Sequence, residues 1–332
     1  MTKTYQLVGI GNAVVDVIAQ CDDSFLDHMG IEKGIMQLVE RDRSEVLFAA
    51  MKERVQTPGG SVANTIAGAG ALGLSSAFIG RVHDDAIGRF YAKAMQDEGV
   101  DFVNAPVAEG ELPTSRTMIF VSPDGERSMN TYLGISSELS SEDVPAMVAE
   151  RSQIMFLEGY LFDKDKGKTA FMEAARDCTR GGGKAGIAIS DPFCVERHRD
   201  DFLRLIENDL DFVLGNEDEI RSLFETDDLE EALAKTAAIC PLVVCTRSGD
   251  GVTVVSEAGR IDVPVTKVVP VDATGAGDQF AAGFLFGLAT SRDLETCARM
   301  GNACAAEVIS HIGPRPQTDM RAVLRSAGLL ND

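Results

Sequence analysis

No stretch of the chain approaches the roughly 18 apolar residues that a membrane-spanning helix requires. The amino-terminal segment MTKTYQLVGIGN has no long apolar run behind a basic segment, so neither a secretory leader nor an anchor is expected and the protein reads as soluble and cytoplasmic. Histidine is scarce. His28, His83, His198 and His311 are scattered without metal-ligand spacing, which leaves little basis for a zinc site. Seven cysteines, an odd number, include no C-x-x-C pair, so they read as reduced, mostly buried thiols. Positive charge is also in short supply: 31 Lys and Arg face 52 Asp and Glu, a net charge of -21. That balance opposes nucleic-acid and anionic-membrane partners. It also means that a phosphate ligand must find its positive potential locally, from backbone amides and a divalent cation.

Two motifs are missing as well. No G-x-x-x-x-G-K-[ST] segment occurs, and Gly181-Gly182-Gly183-Lys184 has neither the spacing nor the following Ser or Thr, which argues against a P-loop nucleotidase. Without a G-x-S-x-G elbow an α/β hydrolase is not expected either.

What the chain does hold is 332 residues, 45% of them hydrophobic, enough for one large domain with a smaller appendage. Short apolar runs at Leu7–Ile10, Ala77–Ile79, Ile154–Leu157, Phe212–Leu214 and Leu242–Cys245 alternate with helical patterns at Asp84–Glu98, Asp165–Arg180 and Leu229–Ile239. Such alternation predicts an α/β fold with a parallel sheet covered on both faces. Val14–Ala19, Ile35–Val39 and a hairpin over Thr114–Tyr132, turning at Pro123-Asp124-Gly125, belong to no βα unit. They are assigned to a small separate sheet from segments 14–40 and 101–135, either a lid or an edge decoration of the main sheet.

Four segments carry candidate chemistry. In Val271-Asp272-Ala273-Thr274-Gly275-Ala276-Gly277-Asp278, two glycines at a helix start leave amides free to hold an anion, and Asp278 sits beside them where a carboxylate could accept a proton from an attacking hydroxyl. A helix-capping aspartate is the competing reading. Pro58-Gly59-Gly60-Ser61-Val62-Ala63-Asn64 allows close backbone approach, with Asn64 one helical turn past Gly60. A glycine turn into a tightly packed helix explains it equally well. Within that helix Gly68–Gly73 matches G-x-G-x-x-G, but it does not lie between a strand and its helix, so a dinucleotide site is rejected. Asn12 and Asp16 follow the first strand, where ligands of open α/β sheets sit, and are placed either to hold polyol hydroxyls or to cap a loop. Asn216-Glu217-Asp218-Glu219 marks another strand-to-helix junction, fit either to organise magnesium through water or simply to cap a helix.

Taken together, Gly9–Asp16, Gly59–Gly73, Asn216–Glu219, Asp272–Asp278 and the tail from Gly301-Asn302 resemble the ribokinase-like carbohydrate and nucleoside kinases, the phosphofructokinase-B family, across essentially the whole chain. The resemblance implies a doubly wound α/β domain with a small β lid, ATP as donor and magnesium as bridging ion. It implies Asp278 as base, with the amides of Gly275, Ala276 and Gly277 as anion hole. Asn216 and Glu219 would support the magnesium and phosphate network, Glu219 through water. Thr246, Gly249, Gly251 and Asn302 would hold the nucleotide, and Asp272 a monovalent cation such as potassium. Ser248 stands where many members have glycine.

Among family branches the resemblance is nearest to adenosine kinases, through Asn12, Asp16, Gly59, Gly60, Asn64 and the segment Ser128–Leu133. An adenosine acceptor needs an apolar slot, for which Leu38, Leu133, Tyr160, Leu161 and Phe162 are the candidates; they also read as ordinary lid and core residues. A free sugar such as ribose, fructose or 2-keto-3-deoxygluconate is the alternative acceptor. A non-catalytic nucleoside or sugar sensor is the alternative of another class. The resemblance leaves the assembly open between a monomer and a lid-mediated homodimer.

Overall fold

The computed structural model describes residues 2–331. In chain order its strands are β1 (Tyr5–Ile10), β2 (Val14–Gln20), β3 (Met36–Leu38), β4 (Val55–Gly59), β5 (Ser76–Ile79), β6 (Asp101–Phe102), β7 (Ser115–Val121), β8 (Arg127–Tyr132), β9 (Ser152–Glu158), β10 (Lys184–Ala188), β11 (Phe212–Asn216), β12 (Leu242–Thr246), β13 (Val252–Ser256) and β14 (Gly259–Val263). Nine of them form one sheet in the order β14-β13-β12-β11-β10-β9-β1-β5-β6. Pairing is parallel from β6 to β12 and antiparallel only at the β12–β13–β14 edge.

The apolar runs read from the sequence are the centre of this sheet. Leu7, Val8 and Ile10 of β1 are all fully buried, because both faces of the strand are covered and no side chain can point to water. One face carries a core containing Phe78, Phe156, Phe212 and Phe284; the other carries Phe162, Phe171 and Phe202. The first core is closed by helices Ser61–Ala71, Ala276–Ala289 and Leu294–Val308. Their small residues are there for contact: a Cβ on Gly68 would come within 2.9 Å of the Ala282 methyl, and one on Gly283 within 2.5 Å of the Met300 carbonyl. Gly68, the first glycine of the G-x-G-x-x-G stretch, thus serves helix packing.

The remaining five strands form a second sheet, β3-β8-β7-β2-β4. The β7–β8 hairpin falls where Pro123-Asp124-Gly125 places it. Two boundaries differ from expectation. Val55–Gly59 joins the small sheet as an edge strand beside β2, which is why it tolerates Pro58. Asp101 and Phe102 pair instead with β5 at the edge of the large sheet. Helix Arg41–Ala50 covers one face of the small sheet, where the Arg116 guanidinium lies 4.4 Å from the Phe48 ring centre. The opposite face, carrying Thr117, Met129 and Thr131, looks into a cleft over the carboxyl ends of the large sheet's strands.

Candidate active site

The cleft holds a cavity of about 590 Å³. Its floor is assembled from strand ends and helix starts. Asn12 follows β1 and is buried; its backbone N–H and its Nδ2 donate to Glu158 Oε1 at 3.0 and 2.9 Å, while Ser136 Oγ donates to its Oδ1 at 2.8 Å. Glu158, the last residue of β9, accepts from Val62 N through its other oxygen at 3.0 Å. It therefore ties β1 to the first turn of helix Ser61–Ala71. Gly60 has a φ of 97°, and a Cβ there would strike the Asn12 carbonyl at 2.3 Å; one on Gly59 would meet both Asp16 oxygens within 2.8 Å. The double glycine exists because Asn12 and Asp16 press against it.

Asp278 lies in the first turn of helix Ala276–Ala289, where it meets the other helix start. Ser61 Oγ donates to one carboxylate oxygen at 2.7 Å, Asn64 Nδ2 donates to the other at 3.0 Å, and Thr65 Oγ1 donates to its carbonyl at 3.1 Å. Gly275 caps this helix in the left-handed region, φ 79°, with no side chain bonded to the first-turn amides. Gly277 lines the cavity, and a Cβ there would meet nothing within 4 Å. The helix start thus offers uncapped N–H groups and a dipole end beside a carboxylate, a place for a phosphoryl group next to a base. Of the three amides expected there, that of Ala276 donates to the Ala273 carbonyl at 3.2 Å, closing the turn.

Burial in this acidic cleft dominates its titration. Desolvation raises Asp278 to about 6, against the hydrogen bonds of Asn64 and Ser61 and the charge of Arg315. Desolvation raises Asp16 to about 6 as well, opposed by Arg315 and Arg127, and Glu158 to about 7 despite its bonds to Val62 and Asn12. Glu219, buried and with both oxygens accepting from Asn216, is likewise raised to about 7 by desolvation.

Of the residues expected from the sequence, the cavity is lined by Asn12, Asp16, Leu38, Gly60, Leu133, Tyr160, Asn216, Glu219, Thr246, Gly277 and Asp278. Others fall outside it. Leu161 and Phe162 are core residues, the Phe162 ring 4.0 Å from that of Phe202; the short helical turn Gly159–Asp163 rotates them away from Tyr160. Asn64 is turned onto Asp278 and Arg315. Gly249 lies within the turn after β12 and Gly251 closes it, and Asn302 bonds the Pro264 carbonyl, all outside the cavity lining. Residues that sequence reading passed over are Ser61, Glu158, Arg127 and Arg315.

The chain is similar to known proteins over most of its length. The model of the pfkB family carbohydrate kinases matches residues 32–320. The chain belongs to that family. Among pfkB proteins of known structure, an adenosine kinase from Sinorhizobium meliloti is 44% identical, with a TM-score of 0.90, over 98% of this chain and 99% of its own. A probable sugar kinase of known structure, from Rhizobium etli, is 40% identical, with a TM-score of 0.91, over 99% of this chain and all of its own. A 5-dehydro-2-deoxygluconokinase of Halalkalibacterium halodurans is 28% identical over 76% of this chain and 79% of its own. This pfkB protein is an ATP-dependent kinase acting on a small molecule.

PfkB kinases use ATP, usually with magnesium. Among the described residues no group of three or more metal-ligating side chains forms a ready metal cage, but Asp191 and Glu219 line the same cavity. That donor set suits a hard cation delivered with a nucleotide and held largely through water. Asp272 does not fit a monovalent cation in the same way. One of its oxygens accepts from Thr274 N and Oγ1; the other accepts from Gly313 N at 2.9 Å and pairs with Arg127 at 2.6 Å. The hydrogen bonds of Gly313 and Thr274 hold Asp272 below the ordinary aspartate range against desolvation, with Arg127 adding its charge. Its counter-charge is thus a guanidinium reaching over from the small sheet, which leaves no carboxylate oxygen free for a cation.

Proposed function

We propose that the protein phosphorylates the primary hydroxyl of a ribonucleoside, with adenosine as the acceptor and AMP as the product. The observation that carries this reading is one cavity holding both Asp278 beside the uncapped helix start and an apolar end of Met36, Leu38, Met129 and Leu133 from the small sheet. The 44% identity to the adenosine kinase of S. meliloti supports it. Leu38 and Phe193 of the cavity wall are 54% and 69% exposed, apolar surface that a flat base would cover and a free sugar would not.

In this mechanism Asp16 takes ribose hydroxyls and the base lies in the apolar end near Tyr160. The acceptor hydroxyl then stands by Asp278, which removes its proton as the bond to the terminal phosphorus of ATP forms and the bond from that phosphorus to ADP breaks, ADP leaving. The Gly277 amide and the helix dipole stabilise charge on the transferring group. Arg127, bonded to Thr274 Oγ1 at 3.3 Å, adds positive charge at the same place. Glu219 and Asp191 would hold magnesium through water, and the ion would supply positive charge toward the ATP phosphates. The small sheet over the cleft excludes water, so that phosphate passes to the acceptor and not to solvent. The fold and the absence of any helix long and apolar enough to span a membrane, among the described residues, agree with a cytoplasmic enzyme.

The second reading, a sugar acceptor, is favoured by the 5-dehydro-2-deoxygluconokinase relative. The deciding experiment is ADP release from Mg-ATP against adenosine, inosine, guanosine, ribose, fructose and 2-keto-3-deoxygluconate. A preference for adenosine supports the nucleoside reading; a preference for a free sugar replaces it. Asp278→Asn should lose roughly 10² to 10⁴ in kcat while acceptor binding persists, and near-normal turnover would remove Asp278 as base.

A further inference from the structure

Asp278 does not hold its position unaided. Its partner Asn64 has a two-ended carboxamide, with an oxygen that would repel a carboxylate and an NH₂ that binds one. Which end faces Asp278 is decided on the far side. Arg315 Nε donates to Asn64 Oδ1 at 3.1 Å, which leaves Nδ2 aimed at Asp278. The guanidinium is itself fixed, its side chain only 11% exposed, with Nη1 on Glu98 and Nη2 on Met95 Sδ at 3.5 Å. It arrives on a loop braced to the same site: Gly313 N donates to Asp272, Pro314 O accepts from Gln279, and the buried Glu307 accepts from Gln317 N, Thr318 N and Thr318 Oγ1.

We propose that Arg315 is a positioning residue for phosphoryl transfer, orienting the Asn64 carboxamide so that its Nδ2 binds Asp278 and bringing one positive charge into this acidic cleft. The inference rests on the reading of Asp278 as base. The charge is needed because other ionisable groups around Asp278 are mostly acidic: Asp16 on β2, Glu158 on β9 and Glu219 at the start of helix Glu217–Ser222, with Tyr160 nearby. Arg127 on β8 acts on Asp16 and Asp272, while Arg315 acts on both Asp278 and Asp16.

The test is the pH dependence of kcat and kcat/KM for the full-length protein with Mg-ATP and adenosine, or fructose if that is the acceptor turned over. Wild type is compared with Arg315→Met, Arg315→Lys and Glu98→Gln, with circular dichroism to confirm folding. In Arg315→Met the acidic limb should move up by roughly one pH unit, the size of one nearby charge, so that turnover falls about tenfold at pH 5, about twofold at pH 7, and largely recovers by pH 9. Arg315→Lys should restore the limb but not the full plateau, because the charge returns without the directed Nε bond. Glu98→Gln, which frees the guanidinium from its neutralising partner, should leave the limb at or below the wild-type position. A uniform loss at every pH in Arg315→Met, with the limb unmoved, would reduce Arg315 to packing. Should that variant not fold, a limb moved upward in Arg315→Lys or in Glu98→Gln would overturn the proposal, and the expected positions would support it. Failure of the base assignment shows separately, as retained turnover in Asp278→Asn.

Discussion

A carboxylate that must act as a base is useful only in its ionised form, and Asp278 is held near the edge of that condition. Its value of about 6 lies well above that of an ordinary aspartate because burial penalises the charge. The sign for catalysis is therefore definite: kcat/KM should fall about tenfold per pH unit below 6 and level off above 7, as an initial-rate profile would show. Stability runs the other way. Asp16, Glu158, Glu219 and Asp278 all have folded-state values raised to about 6 or 7. Their contribution is present at pH 4 and is lost as pH climbs through 6 and 7. Carboxylates with depressed values, such as Asp22 and Asp201, titrate below this window. Urea unfolding of the ligand-free protein should accordingly show a falling free energy between pH 5 and pH 8, and a flat or rising one would contradict the burial of these four charges.

At the level of elements, the central strands could be read directly because a strand covered on both faces must be apolar throughout, and Leu7–Ile10 or Leu242–Cys245 admit little else. The glycine-capped helix could be read for a similar reason, since only a ligand or a close neighbour explains Gly275 and Gly277 before an acid. Val55–Gly59 could not, because Pro58 and two glycines look like a turn unless the strand is known to lie at an edge. Glu158 and Arg315 were silent too. Each is a single charged residue whose partners lie far away in sequence, at Asn12 and Val62 for one and at Asn64 and Glu98 for the other, so no local pattern marks them. The junction at Gly60 gives an element-scale prediction. Gly60→Ala forces an L-residue to φ 97° and drives a methyl toward the Asn12 carbonyl, so it should cost roughly 2 kcal/mol or more in denaturant unfolding and weaken acceptor binding together.

For the molecule as a whole, a net charge of -21 surrounds a site that must admit a nucleotide polyanion. The repulsion is long-ranged and exposed, so salt screens it, whereas the contacts inside the cleft are short and sheltered. Raising ionic strength from about 20 to 200 mM should increase kcat/KM for Mg-ATP severalfold while leaving the KM of an uncharged acceptor nearly unchanged. Steady-state kinetics at constant pH would check this, and equal effects on both substrates would point to a general change in the enzyme.

The loop that ends in Arg315 closes the site from the far end of the chain, and β1 waits at the middle of the large sheet for β9, more than 140 residues later. During synthesis on the ribosome, the strands therefore emerge well before the residues that orient Asn64 and seal Asp272. A nascent chain should reach full turnover only once the segment carrying Arg315 has left the exit tunnel, the strands that frame the cleft having emerged earlier.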